Sequence, residues 1–139
     1  MTKTMLATLA FTAAVAFAGP AFAEKFKAAL DAKSEVPPNA STATGTADID
    51  YDAASKKLSW KVTYSGLTGP ATAAHFHGPA ESGKNAGVAV AIPNAGSSPA
   101  EGSATLTDAQ AADLQAGKYY VNIHTAANPG GEIRGQVTK

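Results

Sequence analysis

Apolar and polar residues alternate in short runs along most of this chain, and glycine, proline, asparagine and aspartate cut the runs apart. The clearest run is 58–64. There Leu58, Trp60, Val62 and Tyr64 face one way and Ser59, Lys61 and Thr63 the other, the period of two that a half-buried strand requires. In 42–51, Ala47, Ile49 and Tyr51 alternate with Thr46, Asp48 and Asp50, and 52–57 reads as the hairpin connection between the two strands. Further strands are predicted over 25–30, 72–77, 87–92, 102–106, 118–124 and 132–138. Together these predict an all-β domain, a Greek-key-like β-sandwich or flattened barrel of about eight strands. One short helix is predicted over 108–115, where Thr107 and Gln110 have the spacing of a capping box and Gly117 supplies a stop.

The beginning of the chain breaks this pattern. A lysine at position 3, an apolar run over 6–19 and an Ala-Phe-Ala triplet at 21–23 have the order of a secretory signal and its cleavage site. The expected organisation is a signal peptide at 1–23 and one domain at 24–139, exported to the periplasm or secreted. No later apolar stretch is as long as a membrane span. The 139 residues carry 11 basic and 11 acidic side chains, and a balance this even gives no footing for nucleic acid, which needs a basic excess. Cysteine is absent, and both methionines, Met1 and Met5, lie in the expected leader. The exported chain therefore has no sulfur ligand, and any metal it holds must be bound by nitrogen and oxygen.

The three histidines carry the most chemistry. His75 and His77 stand two apart in a predicted strand, so they share a face, about 6–7 Å apart, while Ala74 and Phe76 face the core. In 118–124, Tyr119, Val121 and Ile123 form the apolar side, which places His124 on the polar side with Tyr120 and Asn122. If the two strands are neighbours, three imidazoles gather on the outer face and can converge on one ion at about 2.0–2.1 Å per bond. Matching Ile123 to Ile133 across the next hairpin sets Asn122 against Arg134, Tyr120 against Gln136 and His124 against Glu132. On that register Glu132 would orient His124 by accepting its second N–H, and Arg134 would guide an anion to the open position of the metal. The plainer alternatives are an exposed polar His-x-His pair and a surface ion pair between Glu132 and Arg134.

These segments carry a resemblance. Ser34-Glu35-Val36-Pro37-Pro38, the run 63–69, Ala73-Ala74-His75-Phe76-His77-Gly78-Pro79-Ala80 and the run 120–135 make the chain similar to a CHRD domain over about 25–137. That module is named after chordin and is widespread in secreted bacterial proteins; in animals it sits within antagonists of growth factors. More loosely, a His-x-His strand with a distant third histidine resembles the copper site of Cu/Zn superoxide dismutase. This chain has no fourth histidine to bridge two metals and no disulfide.

The leading expectation is an exported protein holding one copper ion, or zinc as the alternative, through His75, His77 and His124, since copper(II) heads the affinity order for nitrogen donors. An alternative is a mononuclear copper oxidoreductase acting on superoxide or a related small oxidant. Another is an extracytoplasmic interaction module without metal. A homodimer through an edge strand is compatible with each. No Gly-x-Ser-x-Gly elbow supports a serine hydrolase.

Overall fold

The computed structural model describes residues 23–139, so the expected leader lies outside the described residues except for its last position. Eight strands follow in chain order: Glu24–Asp31 (β1), Thr44–Asp52 (β2), Lys57–Ser65 (β3), Ala71–His77 (β4), Val88–Ala91 (β5), Ala100–Thr105 (β6), Tyr120–Thr125 (β7) and Ile133–Gln136 (β8). They form one antiparallel sheet in the order β5-β4-β7-β8-β1-β2-β3-β6. The sheet curls into a nearly closed barrel. Trp60 on β3 meets Phe76 on β4 edge to face across the interior, with ring centroids 5.2 Å apart, although four strands separate the two in the sheet. Between β5 and β6 the chain crosses from one sheet edge to the other, and Ser98 on that crossing accepts from the Tyr64 amide at 2.9 Å.

The period of two sorts the side chains as the sequence pattern predicts. Phe26, Ala28 and Leu30, then Ala47, Ile49 and Tyr51, then Leu58, Trp60 and Val62, all point inward and are buried. Two glycines let neighbouring strands and their side chains pack closely. A Cβ on Gly135 would stand 2.1 Å from the Ala29 carbonyl oxygen, so only glycine lets β8 lie this close to β1. A Cβ on Gly102 would press on the Trp60 indole at 2.8 Å. The helix, Asp108–Gln115 (α1), has its capping box: Thr107 Oγ1 accepts from the Gln110 amide, and the Gln110 side chain accepts from the Thr107 amide. It contributes Leu114 to the core. Among the described residues no helix is long and apolar enough to cross a membrane.

The strand β7 departs from simple alternation. Both of its faces are buried, because Tyr120 and Asn122 on the outer side lie beneath loops instead of facing water. Those loops, residues 78–87 and 126–131, make the outer face of β4 and β7 a place where polar side chains are enclosed.

Candidate metal site

β4 and β7 are direct neighbours, which brings the three histidines together. In their register His75 faces Asn122, His77 faces Tyr120, and Ala73 faces His124. Cross-strand partners share a face, and the small side chain of Ala73 leaves the His124 ring free to lean toward His75. His75 Nδ1 lies 3.1 Å from His124 Nε2. One ring nitrogen from each of His75, His77 and His124 lies within 4.8 Å of the others, close enough for all three to address one ion.

Backbone carbonyls fix two of the three rings. His77 Nδ1 donates to the Ala86 carbonyl at 3.0 Å and His124 Nδ1 to the Pro129 carbonyl at 2.8 Å. A nitrogen facing a carbonyl carries the hydrogen, so Nε2 of each ring keeps a bare lone pair. The His124 lone pair accepts from His75 Nδ1; that of His77 is buried and has no partner. Burial lowers the His75 pKa below the ordinary histidine value, and the neighbouring His124 and His77 lower it further. Burial also lowers His77, outweighing the Ala86 carbonyl, which favours the charged ring. Neutral imidazoles with fixed tautomers are the form in which histidine binds a metal.

Glu132 and Arg134 are both buried and both stand one loop away from the rings. The Ile123–Ile133, Asn122–Arg134 and Tyr120–Gln136 pairs are those the apolar register predicts. The ladder ends there, however, and Glu132 turns away from His124. Its carboxylate accepts from Ser41 Oγ at 2.8 Å, the Thr68 amide at 3.0 Å, Thr68 Oγ1, Thr125 Oγ1 at 2.8 Å and Asn128 Nδ2 at 3.1 Å. Burial would raise this carboxyl, but the Thr68, Thr125 and Ser41 hydroxyls and the Thr68 amide outweigh it and hold the pKa at about 2. The Nδ1–H of His124 goes instead to Pro129, in the loop that Glu132 anchors through Asn128.

Arg134 has a matching position on the other side. Its guanidinium pairs with Glu35 at 3.2 Å and donates to the Lys84 carbonyl at 3.1 Å and Asn85 Oδ1 at 2.6 Å. It also lies 3.9 Å over the Tyr120 ring, whose other neighbour, His77, is stacked almost parallel to it at 4.9 Å. With both terminal nitrogens engaged, Arg134 holds residues 84–86 in place, and Ala86 in turn holds His77. The buried charges thus act through loops: each ties down the carbonyl that orients one histidine.

Sequence reasoning assigned no role to Glu35, Tyr120 or the two carbonyls. Glu35 lies in the Ser34–Pro38 motif, far in sequence from its partner Arg134, and no local spacing connects them.

Among known protein families, the model of the CHRD domain fits residues 26–137. No curated protein and no solved structure matches the chain.

Proposed function

The chain belongs to the CHRD domain family, and from that premise we propose that it is an exported protein holding one copper ion, with zinc as the competitor, through His75, His77 and His124. The observation that carries this reading is the convergence of three ring nitrogens within 4.8 Å, with two of the rings fixed by carbonyls. Copper(II) binds such a donor set ahead of the other first-row divalent ions, and the absence of cysteine and of any methionine beyond position 5 speaks against a carrier built for copper(I). His75 would release Nδ1 to the ion and carry its hydrogen on Nε2, a change of tautomer without a change of charge. A bound copper ion could supply one-electron chemistry; because Arg134 is buried and engaged by Glu35, Lys84 and Asn85, we favour binding over turnover of superoxide.

Calorimetric titration of the chain with copper(II) and zinc tests this. One ion per chain is expected, with affinity lost in each of His75→Ala, His77→Ala and His124→Ala. Binding weaker than roughly 10 μM, worth only about 7 kcal/mol, or binding indifferent to all three changes, would refute it. The second reading is an extracellular interaction module, which family membership supports. It predicts that the triple alanine variant keeps its stability and its partner.

A further inference from the structure

We propose that Asn122 is the fourth donor of this site, its side-chain oxygen closing the three-histidine set from beneath. The proposal rests on the metal reading above. Asn122 sits opposite His75 across the β4–β7 ladder and two residues from His124 on the same face. His77 is diagonal to it, so Asn122 borders all three rings. It is 1 % exposed, and its Oδ1 has no hydrogen-bond partner. A buried amide oxygen left this way keeps its full desolvation cost, so the group needs an explanation.

The orientation of the amide supplies one. A Cβ built on Gly131, which has φ +128°, would lie 2.5 Å from Glu35 Oε1 and 2.7 Å from Asn122 Nδ2, so the amide nitrogen faces the Glu35 side. Oδ1 is thereby turned to the opposite side, toward the histidines. On that side His77 Nε2 is also buried and unpartnered. Two lone-pair atoms, one nitrogen and one oxygen, are enclosed together with no hydrogen between them. A cation satisfies both at once. Three imidazole nitrogens and one amide oxygen form a hard-to-intermediate donor set, suited to copper(II) and zinc and poorly suited to copper(I).

Asn122→Leu and Asn122→Asp, compared with the unaltered chain, test the proposal by competition titration with copper(II) and zinc and by electron paramagnetic resonance of the copper form. Asn122→Leu should still bind one ion through the histidines, about tenfold or more weakly, with altered copper g and hyperfine values. Asn122→Asp, of the same shape but with an anionic oxygen, should bind more tightly and shift those values the opposite way. It also decides the matter if the leucine variant does not fold. A merely structural Asn122 would leave the copper spectrum and the affinities of the folded variants within twofold of the unaltered chain, and that result overturns the proposal. Failure of the unaltered chain to bind either ion would instead overturn the three-histidine reading, and this inference with it.

Discussion

Glu132 is the side chain whose behaviour is most sharply constrained. Its carboxyl pKa is held at about 2, below the ordinary 4.5, so the folded state binds its proton more weakly than the unfolded chain does. The resulting stability is fully present above pH 4.5 and is lost as pH falls toward 2. At about 1.4 kcal/mol per unit it amounts to roughly 3 kcal/mol. Urea unfolding across this range should show that loss, and Glu132→Gln should flatten it while costing roughly 2–3 kcal/mol at neutral pH. The Glu35–Arg134 pair is the second such point. Both side chains are almost fully buried, and burial raises the Glu35 pKa while Arg134 opposes the rise. Removing one partner strands the other charge, so Arg134→Met should cost roughly 3–5 kcal/mol, and adding Glu35→Gln should recover part of it. A double-mutant cycle in chemical denaturation measures the coupling; additive costs would contradict it.

Among the elements, β4 joins core and site. Phe76 points inward against Trp60 while the flanking His75 and His77 point outward, so alternation alone hands the strand both tasks. Phe76→Leu should lower stability by about 1–2 kcal/mol and leave metal affinity nearly unchanged, which calorimetry on the folded variant checks. The loops contribute differently. Anchoring of residues 84–86 by Arg134 and of 126–131 by Glu132 predicts that changes at either charge weaken metal binding about tenfold without touching a ligand. Much of this was legible beforehand. The eight strands, the outward histidines and the β7–β8 register follow from a period of two and the capped helix from its capping-box spacing, signals that act over a few residues. The loop carbonyls and the Glu35–Arg134 pair were not legible, since they depend on where loops come to rest and on contacts across 99 positions of chain. Glu132 shows the boundary: the register extends correctly to Ile133 and stops one residue short of it.

At the scale of the whole molecule, the two halves of the sheet are joined where β8 settles against β1. The Gly135 Cβ position is 2.1 Å from a backbone oxygen, which a strand cannot yield without separating. Gly135→Ala should therefore lower the melting temperature by far more than a surface change does, a loss of several kcal/mol readable by calorimetric melting. The domain also gives the metal a thermodynamic signature. An ion that binds only the folded chain stabilises it by about 2.7 kcal/mol at a hundredfold excess over Kd, several degrees in melting temperature for a domain of this size. The most direct measurement is electron paramagnetic resonance of the chain loaded with one equivalent of copper(II), prepared with ordinary and with nitrogen-15 histidine. The account predicts couplings from three imidazole nitrogens, changed by the isotope and reduced when any one of His75, His77 and His124 is replaced. A spectrum of loosely held aqueous copper, or a nitrogen-coordinated one that survives replacement of all three histidines, would contradict it.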